Sequence, residues 1–87
     1  MERINSKMDS NMTSNVKDII CGAFKFESTY EARAKYILSK LNSMYAKYNW
    51  TISIFDNGSS TASYNDNMYF FCIMDHLCVS ISGTRKC

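Results

Sequence analysis

The sequence predicts an α+β fold, with two helices and an antiparallel sheet in one domain of 87 residues. Two stretches repeat apolar side chains at intervals of three and four residues, as amphipathic helices do. The stretches that follow them alternate apolar and polar side chains, as strands with one solvated face do. Helices followed by a run of strands favour an α+β arrangement with an antiparallel sheet.

The polar segment 1–9 and the first helix occupy the N-terminal part of the chain. Residues 1–9 are interpreted either as a short edge strand or as a disordered arm. The first helix is predicted to begin near Ser10 and to end at residues 26–27, with Gly22 allowing another element to approach closely. Its apolar stripe consists of Met12, Val16, Ile19, Ile20, Ala23 and Phe24. This face of the helix is therefore expected in the core.

The second helix is predicted from a capping box that begins at Ser28. The Ser28 hydroxyl would accept a hydrogen bond from the amide of Glu31, and the Glu31 carboxylate would accept one from the amide of Ser28. The helix is expected to end near Lys47. Its apolar stripe consists of Ala34, Ile37, Leu38, Leu41, Met44 and Tyr45.

Four strands are predicted after the helices. Residues 50–54 alternate apolar and polar side chains, and a turn follows at residues 56–58. Residues 59–64 are small and polar, and they form either an edge strand or a loop before a second turn at residues 65–67. An edge strand of this kind would offer its backbone to an incoming extended peptide.

Residues 68–74 are apolar on both faces, although a strand of an antiparallel sheet normally exposes one face to water. One face is expected to pack on the helices. The other face is covered either by the same surface of a second copy or within the monomer, as in a central strand. A two-residue hairpin at Asp75 and His76 leads to the last strand, and the tail 83–87 is expected to leave the sheet. The inward residues of the last strand are Leu77, Val79 and Ile81.

Composition argues against several classes of function. The formal net charge of +2 is too small to favour nucleic acid or an anionic membrane, and no apolar run reaches the length of a bilayer span. The N-terminus lacks the apolar region of a signal peptide, so a cytosolic protein with reduced thiols is expected. Hydrophobic residues make up 46% of the chain, more than so small a core readily hides, which favours oligomerisation.

No catalytic site, metal site or cofactor is predicted. The single histidine, His76, lies in a turn that is expected to be exposed. A nucleophile pair of His76 with Cys72 or Cys78 would have no evident orienting acid besides Asp75. A zinc site formed by this histidine and these two cysteines with Cys87 has irregular spacing. Cys21 and Cys72 are expected to be small buried hydrophobic residues. The protein is therefore expected not to be an enzyme.

The order and spacing of these segments resemble the eight-kilodalton cytoplasmic dynein light chain family over nearly the whole chain, as one domain, 1–87. The matching segments are residues 3–5, 23–24, 36–41, Tyr45, Trp50, 57–60 and 69–71. They correspond in order to the family's first strand, its two-helix segment, its tryptophan-led strand, its asparagine-phenylalanine-glycine-serine run and its aromatic fourth strand.

The resemblance implies a homodimer in which two sheets pack face to face with the helices outside, and in which residues 59–64 cross to the partner's sheet. The crossing strand and the second helix would form a groove. Short linear motifs of other proteins, dynein intermediate chain among them, would bind there by strand addition. The groove residues carried over by position are Ser59, Ser60, Thr61, Ala62, Ser63 and Tyr64 on the strand, Tyr69, Phe71 and Ile73 on the floor, Thr29, Tyr30 and Glu31 at the second helix, and Asn5 near one end. A cytoplasmic location with the dynein motor complex on the microtubule cytoskeleton is also implied.

The chain departs from the family at several positions that bear on binding or on the dimer, and the family's tyrosine and histidine further along the groove strand are not reproduced cleanly. The family's phenylalanine before the glycine is missing, so either Gly58 takes its place or one residue is deleted. Thr51 replaces a histidine that the family places at its dimer interface, so a weaker pH dependence of dimerisation is expected. Glu31 replaces a basic residue at the start of the second helix. These departures favour, as an alternative, a light-chain-like structural protein with a drifted groove and partners other than dynein.

Overall fold

The computed structural model describes residues 1–56 and 68–86 and has the predicted α+β fold. Its elements in chain order are β1 (Glu2–Ser6), α1 (Ser10–Phe26), α2 (Tyr30–Met44), β2 (Tyr48–Asp56), β3 (Met68–Met74) and β4 (Leu77–Arg85). Within the described ranges the strands form one antiparallel sheet in the order β1-β3-β4-β2. The segment 1–9 thus contains an edge strand, as one of its two interpretations predicted.

The core lies between the two helices and one face of the sheet, here called the helix face. Its buried members are Met12, Val16, Ile19, Ile20 and Ala23 on α1, Ile37 and Leu41 on α2, and Trp50, Phe70, Cys72, Val79 and Ile81 on the strands. Phe70 stands opposite Ile81, Cys72 stands opposite Val79, and Trp50 stands opposite Gly83 at a position that alternates onto the same face. The other face of the sheet, here called the outer face, carries the intervening residues.

Helix α1 follows the prediction closely. Asp9 is its N-cap, and the Asp9 carboxylate accepts a hydrogen bond from the amide of Met12 at 2.8 Å. The predicted close approach at Gly22 is confirmed, because a Cβ built there would lie 2.6 Å from the Tyr36 hydroxyl oxygen of α2. Cys21 is exposed, so its predicted burial was wrong. It is rotated by about 100° from its buried neighbour Ile20 on the helix and therefore turns out of the core.

Helix α2 starts and ends differently from the prediction. Thr29, not Ser28, is the N-cap, with its hydroxyl accepting from the amide of Ala32 at 3.1 Å. The helix ends at Met44 instead of Lys47, and Met44 is 49% exposed rather than part of the core.

The early end of α2 has a specific cause. The indole N–H of Trp50 donates to the Tyr45 carbonyl at 3.1 Å, and the two rings lie 6.2 Å apart. This contact turns the chain at Tyr45 toward β2, so Tyr45 fills the space beside Trp50 and Met44 is left at the surface.

Strand β4 continues beyond its predicted end. The tail was expected to leave the sheet at residue 83, but β4 extends to Arg85, which pairs with Tyr48. Gly83 pairs with Trp50 on the neighbouring strand, and the Trp50 ring lies directly over it. A glycine there leaves room for the ring, so it marks a packing contact and not the end of the strand.

The turn between β3 and β4 is the predicted two-residue hairpin. Asp75 and His76 have φ values of 51° and 66°, the left-handed conformation that both central residues of a type I′ turn require. Aspartate and histidine adopt this conformation more readily than most residues, so the hairpin forms without glycine. Both residues are exposed, as was predicted for His76.

The two edges of the described sheet differ in regularity. At one edge, β1 changes register between Glu2 and Asn5, and Arg3 has a φ of 50°. At the other edge, β2 forms nine consecutive residue pairs with β4 and contains no bulge. The predicted turns at 56–58 and 65–67 fall largely outside the described residues.

Candidate peptide-binding surface

The outer face of β3 gathers four of the predicted site residues. Tyr69, Phe71 and Ile73 alternate with the core residues of this strand and project from the outer face. Asn5 of β1 pairs with Phe71, and the Tyr69 hydroxyl donates to the Asn5 side-chain oxygen at 3.3 Å. Tyr69 and Phe71 are half-buried, and Ile73 is buried. The predicted floor and its Asn5 end are therefore neighbours in one chain.

Two residues that the sequence reasoning did not include extend this surface. Cys78 of β4 stands opposite Ile73, and Phe55 of β2 stands opposite Cys78, so the three form an apolar row across the sheet. Cys78 is 4% exposed and Phe55 is half-buried. Continuing the alternation of residues 50–54 by one position would have placed Phe55 on the outer face.

The remaining rows of the outer face carry hydroxyl groups. Ser80 and Ser53 stand in register with Phe71, and Ser82 and Thr51 stand in register with Tyr69. Ser53 and Thr51 are exposed, in agreement with the predicted solvated face of this strand. The surface thus changes from apolar near the Asp75 hairpin to polar at its other end.

The start of α2 holds the other three described site residues. The hydroxyl and carbonyl oxygens of Thr29 accept from the amides of Ala32 and Arg33 at 3.1 and 3.0 Å. The Glu31 carboxylate forms an ion pair with Lys35 at 3.2 Å. The amides of Tyr30 and Glu31 belong to the first helical turn, whose amides have no acceptor within the helix. An incoming polar side chain could therefore reach them, as the resemblance implies.

Tyr30 links the start of α2 to the last residue of β2. Its hydroxyl donates to the carboxylate of Asp56, and this hydrogen bond is the largest cause of a raised pKa of Tyr30. The neutral phenol is the donor, so the neighbouring carboxylate favours the protonated form. The bond fixes the helix start beside the point where the chain leaves β2.

The two groups of site residues lie apart within one chain. Tyr30 contacts Asp56, which shares the helix face, whereas Tyr69 and Phe71 project from the outer face. Strands β2 and β3 are separated by β4, a distance of about 10 Å at ordinary strand spacing. One chain therefore does not bring the predicted floor and the helix start into a single groove. The predicted groove strand, Ser59 to Tyr64, lies outside the described residues.

The cysteine and histidine side chains do not converge. Cys72 faces the helices, Cys78 belongs to the outer face, and His76 lies in the exposed turn between their strands. Burial raises the pKa of the Cys72 thiol to about 12, so it stays protonated at neutral pH and is a poor nucleophile. Across residues 1–56 and 68–86, no group of three histidine, cysteine or acidic side chains is placed to hold a metal ion.

A shallow cavity of about 270 Å³ lies where β1 meets the hairpin. It is lined by Met1, Glu2, Ile73, Asp75 and His76. Its apolar wall, Ile73, is also the end of the apolar row of the outer face.

No protein-family model matches the chain, and no curated protein matches it. Among the helices described here, none is both long and apolar enough to cross a membrane.

Proposed function

We propose that this protein is a non-catalytic, dimeric adaptor of the dynein light chain type, which binds short linear motifs of partner proteins by strand addition. Dynein intermediate chain is the expected partner, and the cytoplasmic dynein complex on microtubules is the expected location. Three features support this function: the sequence resemblance, the apolar outer face of the sheet and the difference between the two edges of the sheet.

The observation that carries the proposal is the double-sided character of β3. Phe70 and Cys72 fill the core beneath the helices, while Tyr69, Phe71 and Ile73 give the opposite face a second apolar surface. Both described helices contribute their buried residues to the first of these faces. The same surface on a second copy would cover, by isologous packing, what one chain leaves exposed of Tyr69, Phe71 and Phe55, and the helices would then lie outside.

The straight edge of β2 supports the strand-addition part of the proposal. Among the described strands, β2 has β4 on one side and no strand on the other. An unpaired row of backbone amides and carbonyls can template a further strand. In the proposed dimer, residues 59–64 of the second copy occupy this edge, and the bound peptide adds to them beside the start of α2.

The proposed dimer is tested by sedimentation equilibrium with one variant and one matched control. The wild type should have twice the chain mass of 10.0 kDa. Ser53 and Ser39 are both exposed, but Ser53 belongs to the outer face and Ser39 to helix α2. Ser53→Glu places a charge in the proposed interface and should give monomers, whereas Ser39→Glu should stay dimeric. A wild-type mass of one chain, or equal behaviour of the two variants, would contradict the dimer.

Peptide binding is tested by calorimetric titration with a peptide that carries a Thr-Gln-Thr core. Saturable binding at one peptide per chain is expected, and a scrambled peptide of the same composition should not bind. The dimer should also persist at about pH 5, because Thr51 on the outer face has no group that titrates there. Dissociation at that pH would contradict the role given to this position.

One observation favours the second candidate, a structural relative with a drifted groove and partners other than dynein. The start of α2 carries Glu31, whose carboxylate is already paired with Lys35. An acidic group at this end of the groove disfavours peptides with acidic residues near their core. A stable dimer that does not bind the Thr-Gln-Thr peptide would support this candidate over the first.

A further inference from the structure

A second surface lies on the helix pair, where the end of α1 meets α2. Three aromatic side chains, each with a cation over its ring, form what is here called the aromatic–cationic patch. Its members are Phe24 with Arg33, Phe26 with Lys25, and Tyr36 with Lys40. The rings of Phe26 and Tyr36 lie 6.4 Å apart between centroids, and Arg33 donates to the carbonyl of Glu27, the residue after Phe26, so the three pairs adjoin one another.

Phe26 is the apolar centre of the patch. It is 67% exposed, more than any other large hydrophobic side chain in the described part of the chain. A half-buried neighbour, Tyr36, supports one side of the ring, and Lys25 lies 5.6 Å from its centroid. The ring is therefore accessible to another molecule.

Arg33 is held in place before any ligand arrives. Its Nε–H donates to the Glu27 carbonyl at 3.0 Å, and its guanidinium carbon lies 4.2 Å from the centre of the Phe24 ring. These two contacts fix the plane of the guanidinium, and in the described part of the chain no carboxylate pairs with its terminal N–H groups. A fixed, planar donor fork matches a carboxylate in two-point geometry, and little side-chain entropy remains to be lost on binding.

The patch carries positive charge that the described residues do not balance. Within residues 1–56 and 68–86, the ion pair formed by a lysine is that of Lys35 with Glu31, and no carboxylate lies in ion-pair distance of Lys25, Arg33 or Lys40. One of these cations lies over the exposed Phe26 ring, and the other two lie over the rings of Phe24 and Tyr36. Such a surface attracts an acidic partner by long-range charge and holds it by local contacts.

We propose that the aromatic–cationic patch is a docking site for an acidic segment of a partner protein. A carboxylate of that segment is held by Arg33, an apolar side chain beside it packs on Phe26, and the two lysines draw the acidic segment to the site. The patch lies on the helix pair and not on the outer face, so it stays accessible in the proposed dimer. It makes the protein a two-site adaptor, with strand addition at one surface and acidic-segment docking at the other.

A protein segment fits the patch better than an anionic membrane does. Membrane-surface helices bury a broad apolar face, whereas here a single ring, 67% exposed, is the apolar centre of a surface that carries three cations. The fixed guanidinium of Arg33 selects a planar carboxylate in a defined direction, which a fluid headgroup layer does not require.

The probe for this site is the acetylated and amidated peptide Asp-Glu-Phe-Asp-Glu, added to the full chain labelled with ¹⁵N. Amide shift changes are expected at Phe24, Lys25, Phe26, Arg33, Tyr36 and Lys40, and not on the outer face. Phe26→Ser and Arg33→Lys should each weaken binding roughly 3- to 10-fold. Arg33→Lys keeps the positive charge but loses the planar donor fork, so a loss in this variant points to the guanidinium. Raising the salt from about 0.05 M to about 0.5 M should also weaken binding, because the Debye length shortens.

A charge-matched pair of variants separates the patch from general positive charge. Lys40→Gln should weaken binding, whereas Lys47→Gln, which removes an exposed lysine beyond the end of α2, should leave it unchanged. The uncharged peptide Asn-Gln-Phe-Asn-Gln should not bind. Circular dichroism of each variant establishes that the fold is retained. If Arg33→Lys impairs folding, Lys40→Gln is the variant that tests the patch.

Several results would overturn the proposal. Two of them concern the amide shifts, which would either not change with millimolar acidic peptide or change only in the sheet. The others are equal binding of the uncharged peptide and an equal loss of binding affinity in Lys40→Gln and Lys47→Gln. Binding to vesicles with anionic phosphatidylserine but not to the acidic peptide would assign the patch to membranes instead. None of these results depends on the Thr-Gln-Thr peptide, so this site and the strand-addition site are tested separately.

Discussion

Replacing Gly83 with alanine drives a methyl group into the ring of Trp50. A Cβ built at Gly83 lies 2.7 Å from Cζ3 and 3.0 Å from Cε3 of the indole, closer than a stable carbon–carbon contact. The backbone of Gly83 needs no left-handed conformation, so the conflict comes from the ring alone. Either the indole or strand β4 must move to admit the methyl group.

The indole has little freedom to move. Its N–H donates to the Tyr45 carbonyl, and the Tyr48 ring lies 5.5 Å away between centroids. Trp50 is itself 9% exposed and belongs to the core. Overpacking at such a site costs about 1–3 kcal/mol of the free energy of unfolding. In a domain of this size each kcal/mol lowers Tm by about 4–8 °C.

Urea denaturation, followed by circular dichroism at one fixed protein concentration, measures this cost. Ser82→Ala, one position away on the opposite face, is the control and should change the free energy of unfolding by less than about 0.5 kcal/mol. In a Trp50→Leu background, Gly83→Ala should have a much smaller effect, because the clashing ring is gone. A Gly83→Ala protein as stable as the wild type would refute the assigned contact.

Three further predictions concern the helices and the buried thiol. Gly22→Ala should leave the free energy of unfolding nearly unchanged, because a gain of about 1 kcal/mol in helix propensity offsets the contact of the new methyl group with the tip of Tyr36. Adding Tyr36→Phe removes that contact and should raise the urea midpoint. In the same assay, Thr29→Ala should lower the free energy of unfolding by about 1 kcal/mol and Ser28→Ala by only a few tenths. A larger loss for Ser28→Ala would show that Ser28 is the N-cap. Burial raises the pKa of the Cys72 thiol from 9.0 to about 12. Between these pH values the folded chain keeps a proton that the unfolded chain releases. The free energy of unfolding should therefore fall as the pH rises from 9 toward 12. Cys72→Ala should flatten that fall in urea midpoints measured across the range, and an unchanged slope would contradict it.

Local patterns were enough to predict much of the fold. The spacing of Val16, Ile20 and Ala23 predicted the buried face of α1, and the pair Asp75-His76 between an apolar run and an alternating run predicted the hairpin of β3 and β4. The errors arose where a tertiary contact decides between local options. Both Ser28 and Thr29 can cap α2, and Gly83 resembles a strand end until the ring above it is known.

The candidate sites were predictable to different extents. Strand periodicity places Tyr69 and Phe71 on one face, and the pairing of β1 brings Asn5 to them, as the resemblance implied. The aromatic–cationic patch had no such signal. Phe24 and Arg33 lie on different helices and share no repeat, so only the packing of α1 on α2 brings them together.

The unequal edges of the sheet limit how far copies of this chain can grow by strand pairing. A sheet with two straight edges can recruit a neighbour on each side, which is the route to open-ended fibres. Here the β1 edge is kinked at Arg3 and carries charge from Glu2, so it is a poor template. If the protein adds strands as proposed above, it does so from the β2 side of the described sheet and not from the β1 side. The irregular first strand would then keep a protein that adds strands at one side of its sheet from growing at both sides into a fibre.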